Sequence, residues 1–376
     1  MAERKNQHFV PQFLLRNFSD NGKQIGVYNI SNSRYIPRAS LRKQACKRNF
    51  YGRDKEIEKS LSIFESKVAP IIRNIIKNHE IPKRESEEYY LLLLFVANLL
   101  TRTEGFLAEL QENIDKFYKS LIPEIQPELA KYLNYFKFCF SSFPPYALEL
   151  SIHIFFSILD LNCKLIQISS PNEKQHFVIS DHPVIHYNKF TRLAKKPGGT
   201  EGFCLKGTKI FVPLPYKLYL ILYDRNIYKV GNRYSTTVEA SEADIFQLNK
   251  FQCLHSFSNI YLHPELGNEC FIKEICKGRR EVNRYEVDKL FSTKGNSILL
   301  AVSHLGLGKG VKLNLSFIKL TKKAKRELNR IAEDRKLNRS VSLSRFTRNS
   351  LNCSEKFLEA LEQQLEELKN RNKGNR

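Results

Sequence analysis

The feature that most constrains the fold is an apolar stretch at residues 89–100, which reads YYLLLLFVANLL. A helix of this composition is apolar on every side, so it must lie in the interior with other elements packed around it. Pro82 precedes the stretch, and Ser86 followed by Glu87 and Glu88 is typical of a helix N-terminus. Its length is well below the roughly 20 residues that cross a bilayer, so it predicts a buried core helix.

Helical periodicity covers most of the first half of the chain. Apolar residues recur every three or four positions across residues 54–80, and we expect Pro70 to kink or divide that helix. Near residue 163 the pattern changes to short apolar segments separated by Pro and Gly, which predicts strands. Helical spacing returns at residues 242–261. The predicted strands are residues 26–30, 164–169, 176–180, 209–214 and 218–223.

These patterns predict an α+β fold, in which a helical bundle layer packs on a small mixed β-sheet and a basic helical appendix follows at the C-terminus. We divide the chain into an α+β body at residues 1–262, a connecting segment at 263–312 and the basic appendix at 313–376.

The chain is strongly basic, because 61 Lys and Arg residues against 39 Asp and Glu give a formal net charge of +22. Such a charge attracts an anionic partner, and DNA or RNA is the partner we favour because phosphates are neutralised by Lys and Arg. Two alternatives stay open. The charge reflects a compositional bias, or a basic surface meets an acidic protein.

The cysteines and the N-terminus bear on the cellular compartment. Eight cysteines are scattered along the chain without a CxxC pair, which favours reduced thiols over disulfides or zinc ligands. The N-terminal segment MAERKNQHF lacks the apolar region of a secretory signal. We therefore expect a cytoplasmic protein that does not interact with membranes.

A set of motifs lies in order along residues 5–262: QHFVPQFLLRNF at residues 7–18, Asn49-Phe50-Tyr51, Glu58 and Glu65, Thr101-Arg102-Thr103, Ser180-Asp181-His182-Pro183-Val184, Phe211-Val212-Pro213-Leu214, and Asn249. This set resembles the DUF4238 family, whose members have no established activity. His182 and Glu104 depart from the family pattern, which has Asn and Pro at these positions. The resemblance implies a shared fold and marks positions without supplying chemistry.

Three of these residues suggest a phosphate-binding or phosphodiester-cleaving site where the helices meet the sheet. Arg102 would clamp an anion bidentately, His8 would act as acid or base, and Asp181 would orient His8 or hold a metal. The resemblance adds Asn249. The alternative is an ion pair between Arg102 and Asp181 that locks helix to sheet, with His8 as a brace.

Metal binding at that site would involve Mg²⁺ or Mn²⁺, with Glu58 and Glu65 as further oxygen ligands on one helix face. The alternative for these two residues is a solvated acidic edge. The His182 and His186 pair does not predict zinc, because Pro183 disfavours the helix on which residues four apart converge. The glycine runs lack the nucleotide-binding spacing, and no haem motif is present.

The C-terminal appendix reads strand, helix, turn, helix at residues 315–351 and resembles a ribbon-helix-helix DNA-binding unit, which acts as a homodimer. Residues 321–351 contain ten Lys and Arg against three acidic residues. The alternative is a basic helical hairpin packed on the body. Both alternatives predict a nucleic-acid-binding surface of Lys322, Lys323, Lys325, Arg326, Arg330, Arg345 and Arg348.

The sequence therefore suggests an intracellular protein that interacts with nucleic acid, as a metal-dependent nuclease or as a non-catalytic module that binds DNA or a protein. A role as a defence or toxin-like effector is a further hypothesis.

Overall fold

The helices and strands follow the predicted order of a helical first half and a mixed second half. The computed structural model describes residues 6–52, 56–138, 143–195, 202–279, 293–294, 297–298, 312–337 and 343–348. The helices are α1 (Gln12–Arg16), α2 (Glu56–Asn78), α3 (Glu87–Thr101), α4 (Glu104–Ile125), α5 (Phe143–Ile158), α6 (Lys189–Leu193), α7 (Glu242–His255), α8 (Glu269–Ile275) and α9 (Lys322–Lys336).

The strands are short and lie in several sheets. They are β1 (Asn6–His8), β2 (Gln24–Asn29), β3 (Arg34–Ser40), β4 (Cys46–Arg48), β5 (Asn162–Gln167), β6 (Ile179–Ser180), β7 (Ile185–Tyr187), β8 (Lys209–Pro213), β9 (Leu218–Tyr223), β10 (Tyr228–Val230), β11 (Thr237–Glu239), β12 (Asn259–Leu262), β13 (Thr293–Lys294), β14 (Ser297–Ile298) and β15 (Ile318–Leu320). Short 3₁₀ turns lie at Leu41–Lys43, Pro127–Tyr135 and Leu343–Phe346.

The apolar stretch forms α3 at the centre of the helical layer. The Ser86 hydroxyl accepts a hydrogen bond from the Tyr89 N–H, as the N-cap pattern predicts. Helices α2 and α5 pack on α3, and the helix residues Leu92 and Leu99 are fully buried. Helix α2 continues through Pro70, so the predicted division of the helix at that residue is wrong.

The larger sheet has five strands in the order β11-β5-β9-β8-β7, with only the β11–β5 pair parallel. Alternation along β9 gives it two apolar faces. Leu220 and Leu222 join the core with α3 and α5, while Tyr219 and Ile221 pack with α7 and the C-terminal segment. The sheet is therefore covered on both sides, which confirms the predicted α+β fold.

A second sheet, which is antiparallel, has the order β3-β2-β12-β6, and its strand β12 is the last element of the body. The helical pattern predicted to Tyr261 ends earlier, since α7 stops at His255 and β12 begins at Asn259. Helix α7 is held at its start by a capping box between Ser241 and Asp244.

The C-terminal segment packs on the body of its own chain. Strand β15 pairs antiparallel with β10, and Leu313 and Leu315 join the core beneath the larger sheet. The ribbon-helix-helix resemblance is therefore not supported, because the strand that would form the ribbon is already paired within the chain. Of the predicted second helix, residues 343–346 form a 3₁₀ turn, while residues 338–342 and 349–376 lie outside the described part.

One expectation about the cysteines is wrong. Cys253 on α7 and Cys276 after α8 form a disulfide, while Cys46, Cys163, Cys204 and Cys270 are free. The two cysteines are 23 residues apart and form no recognisable motif. They meet because α8 packs on α7.

Among the described residues, no single helix is both long and apolar enough to cross a membrane. Helix α3 and the part of α4 at Glu104–Pro123 meet the length and composition test only as a pair, with a 61° bend at the break between them.

Candidate anion-binding groove

Arg102, at the C-terminal end of α3, has all three guanidinium nitrogens engaged inside the protein. Nη1 donates to Glu65 Oε1 at 2.7 Å, Nη2 to the His8 carbonyl at 2.6 Å, and Nε to the Tyr51 hydroxyl at 3.0 Å. Only 3% of the residue is exposed. This arrangement, which we call the arginine cluster, ties α3 to α2 and to strand β1.

His8 reaches the arginine cluster through its backbone and not through its imidazole. The ring Nε2 lies 2.9 Å from Gln12 Nε2 and 3.2 Å from the Arg42 carbonyl oxygen, so the side chain braces the turn after β1. The structure therefore brings His8 and Arg102 together in the manner of the predicted brace.

Asp181 follows β6 and holds the backbone that leads into β12. Its carboxylate accepts N–H groups from Phe257 and Ser258 at 2.7 Å and from Asn259 at 2.8 Å. Burial raises the pKa of Asp181 to about 6, although the three N–H groups act in the opposite direction. The alternative ion pair between Arg102 and Asp181 is wrong, because Arg102 pairs with Glu65.

Asn249, on α7, fastens the chain before β6. Its Oδ1 accepts the Val178 N–H at 3.0 Å, and its Nδ2 donates to the His176 carbonyl at 2.7 Å. Both ends of the carboxamide are thus used to hold an extended segment that has no strand partner there.

The described part of the chain contains no group of three or more His, Cys, Asp or Glu side chains arranged to hold a metal ion. Glu65 pairs with Arg102, and Glu58 lies near enough to Tyr51 to raise the pKa of its hydroxyl, after the larger effect of burial. Both glutamates face the arginine cluster, so the alternative of a fully solvated acidic edge is wrong for Glu65.

The cations of the C-terminal segment divide into two kinds. Arg348 is buried and donates to Asp160, to the Ser157 carbonyl at 2.6 Å and to the Leu205 carbonyl at 3.1 Å. It therefore cannot belong to the predicted cationic surface, and Arg345 is paired with Asp334 at 2.6 Å. The remaining predicted cations are exposed on α9: Lys322, Lys323, Lys325, Arg326 and Arg330.

A cationic groove lies where β5, β9 and β10 meet the loop at residues 231–236. Its volume is about 810 Å³, and Lys164, Arg225, Lys229 and Arg233 line it, with no carboxylate among the described lining residues. Some exposed cations elsewhere pair with acids, as Lys273 does with Glu269 at 2.7 Å. The other lining residues are Asn162, Cys163, Tyr223, Asn226, Tyr228, Val230, Gly231, Tyr234, Ser235 and Thr236.

The cationic groove is continued by a second cavity of about 430 Å³ between the body and the C-terminal segment. Asn226 lines both spaces. The second is lined by three cations, Lys206, Lys323 and Arg348, and by three acids, Asp160, Asp224 and Glu327. Asp160 pairs with Arg348, and Asp224 accepts the N–H groups of Gly207 and Asn226 at 3.0 and 2.9 Å. The charges of the second cavity therefore balance, and the excess of positive charge lies in the cationic groove.

The chain was compared with known proteins by family, sequence and structure. It matches the model of a protein family of unknown function, DUF4238, over residues 6–265, which is more than half of its length. This chain is a member of the DUF4238 family. No curated protein and no solved structure matches it.

The two departures from the DUF4238 pattern lie side by side at the start of α4. Glu104 pairs with Lys47 on β4, and the imidazole Nδ1 of His182 forms a hydrogen bond with the Thr103 hydroxyl. Space there is tight, because a Cβ on Gly105 would lie 3.1 Å from His182. These residues join the helical layer to β6 and do not reach the cationic groove.

All four cations of the groove lie within the region that matches DUF4238, but none lies in a motif that we singled out. They come from a buried strand, a turn, a short strand and a loop, and nothing in their spacing shows that they share one surface. The run Asp224-Arg225-Asn226, a turn between two apolar strands, was the available signal.

Proposed function

We propose that this DUF4238 protein binds nucleic acid in the cationic groove. The observation that carries the proposal is the open volume of about 810 Å³, whose described lining residues include four cations and no carboxylate. Like charges gathered without counterions repel one another, and a phosphate backbone relieves that repulsion while releasing its own condensed ions.

The extent of the charge favours a polymer over a single small anion. Arg225, Lys229 and Arg233 are exposed along the groove, and Lys323 lines the adjoining cavity. A phosphate chain can contact such sites in succession, whereas one small phosphorylated ligand would meet only part of them.

We propose that the protein binds nucleic acid in the groove and does not cleave it at the helix–sheet junction. At that junction, Arg102, Asp181 and Asn249 form hydrogen bonds with other residues of the chain, and the His8 ring braces the turn after β1. Cleavage at that junction remains a prediction that rests on the sequence alone. Incubating the protein with labelled RNA and DNA in Mg²⁺ or Mn²⁺ tests it, and products formed by wild type but not by His8→Ala would revive it.

The binding test is fluorescence anisotropy with labelled DNA and RNA at several salt concentrations. The triple variant Arg225→Gln, Lys229→Gln, Arg233→Gln should bind at least about tenfold more weakly, with a shallower dependence on salt because three phosphate contacts are removed. The matched control removes the same charge from exposed residues elsewhere, through Arg34→Gln, Arg73→Gln and Lys77→Gln. Equal losses in both variants, or no binding by wild type, would overturn the proposal.

A further inference from the structure

Tyr234 stands at the rim of the cationic groove with its ring in solvent. The residue is 90% exposed and lies directly after Arg233. An aromatic ring left in water forgoes the free energy that burial would provide, so a ring presented in this way is available for a partner.

The loop beneath Tyr234 is firmly held, so the ring is presented on a fixed backbone. The Tyr234 N–H donates to Asn232 Oδ1 at 3.1 Å, and the Leu165 N–H donates to the Thr236 carbonyl at 2.9 Å. The Ser235 hydroxyl donates to the Thr237 carbonyl at 2.7 Å. A partner that contacts this loop therefore has little backbone to order.

Lys164 and Gly231 shape the same loop from below. The Lys164 ammonium is buried in the groove floor and donates to the Asn232 carbonyl. Gly231 has φ +54°, and a Cβ there would lie 2.2 Å from a Val238 methyl carbon, so no other residue fits this turn. Lys164 thus acts as a brace, and the three exposed cations are left to contact a ligand.

We infer that the groove binds single-stranded nucleic acid, with a base stacked on Tyr234 and phosphates against Arg225, Lys229 and Arg233. The inference rests on the proposed function and names its ligand class. A cationic groove combined with an exposed aromatic ring is the arrangement that binds single strands, since every base has a face to stack. In a duplex the bases are stacked on one another, so Tyr234 would gain no such contact.

The first experiment uses a spectroscopic reporter at the site. The chain contains no Trp, so Tyr234→Trp introduces a single tryptophan. Stacking with a base should quench its emission when single-stranded DNA or RNA is added, whereas duplex DNA and inorganic polyphosphate should leave it nearly unchanged. Equal quenching by polyphosphate, or binding of single strands without quenching, would overturn the stacking contact.

The second experiment measures affinity with matched tyrosine variants. Tyr234→Ala should weaken binding of a single strand by about 5- to 100-fold, while Tyr234→Phe, which keeps the ring, should bind like wild type. Tyr135→Ala is the control, because Tyr135 is 84% exposed and lies on a 3₁₀ turn beside α4. An unchanged affinity in Tyr234→Ala would contradict the inference.

The two proposals fail in distinguishable ways. If no nucleic acid binds, the proposed function itself is wrong. If single strand and duplex bind equally, and the triple cation variant loses affinity while Tyr234→Ala does not, only the choice of ligand is wrong.

Discussion

The arginine cluster and the cationic groove use the same type of side chain in opposite ways. Arg102 is 3% exposed and each of its nitrogens has a protein partner, whereas Arg225 and Arg233 are exposed and pair with no described carboxylate. A buried guanidinium without partners would be very costly, so a fold that encloses one must satisfy it. An exposed guanidinium carries no such requirement and keeps its hydrogen-bond donors for a ligand.

This difference separates the role of the DUF4238 motifs from the place where we propose that a ligand binds. The motif residues Arg102, Asp181 and Asn249 hold backbone or helices in place, each through two or more hydrogen bonds. The proposed ligand contacts come from turns and short strands that belong to no motif. The DUF4238 motifs therefore mark residues that stabilise the fold. The cationic groove forms because the fold brings together residues that belong to no motif.

The strongest test of the comparison removes the buried arginine. Arg102→Met should lower the free energy of unfolding by about 3–5 kcal/mol, because Glu65 is left without its partner and the His8 carbonyl loses a donor. Urea denaturation measures the change, and nucleic-acid affinity should be unaltered under conditions where the variant is folded. The control Arg73→Met replaces an exposed arginine on α2. Equal stability of the two variants would contradict a structural role for the cluster.

The sequence analysis considered Asp181 as the ion-pair partner of Arg102, but the partner is Glu65. Several carboxylates were eligible, and the choice of Glu65 over Asp181 depends on how α2 packs against α3, which local spacing does not encode. Helix α3 and its Ser86 cap were predicted because both depend on neighbouring residues. Strand β9 was likewise predicted at Leu218–Tyr223 from its own apolar residues.

The features that escaped prediction all depend on residues far apart in sequence. Strand β15 was expected to pair with a second chain, but its partner is β10, about 90 residues earlier. The disulfide and the cationic groove likewise join residues that are far apart in sequence. Arg348 was expected on the surface because a charged residue in a basic segment normally is, but tertiary contacts with Asp160 and with the Ser157 and Leu205 carbonyls bury it.

A second test uses pH to examine Asp181, the buried acid of the framework. Its pKa is raised from 3.8 to about 6, a difference that corresponds to about 3 kcal/mol. The folded state therefore holds a proton that the unfolded state has lost between about pH 4 and pH 6, so this residue's contribution to stability falls as pH rises through that range.

Asp181→Asn removes this titration, because a carboxamide does not ionise. The free energy of unfolding of wild type minus that of the variant should decrease between pH 4 and pH 6, as measured by urea denaturation across that range. Glu269→Gln replaces an exposed carboxylate on α8 and is the control for the change from carboxylate to carboxamide itself. A difference for Asp181→Asn that stays constant across this pH range would show that the buried carboxylate is not perturbed.

A third test addresses one cation of the groove. Lys229→Gln should leave stability within about 0.5 kcal/mol of wild type, because the side chain is exposed. The slope of log affinity against log salt should fall in magnitude by about 0.7–0.9, as expected for the loss of one phosphate contact. Anisotropy titrations measure the slope, with Lys77→Gln on α2 as the control. The same slope in both variants would place the contact elsewhere.

A fourth test concerns His8, where we expect a small loss of stability without a loss of nucleic-acid affinity. His8→Ala removes the ring contacts with Gln12 and with the Arg42 carbonyl but keeps the backbone carbonyl that Arg102 uses. Stability should fall by about 0.5–1.5 kcal/mol, the net value of ordinary hydrogen bonds, and nucleic-acid affinity should not change. A loss of affinity without a loss of stability would mean that the imidazole contacts the ligand, and the division between buried framework and open groove would no longer hold.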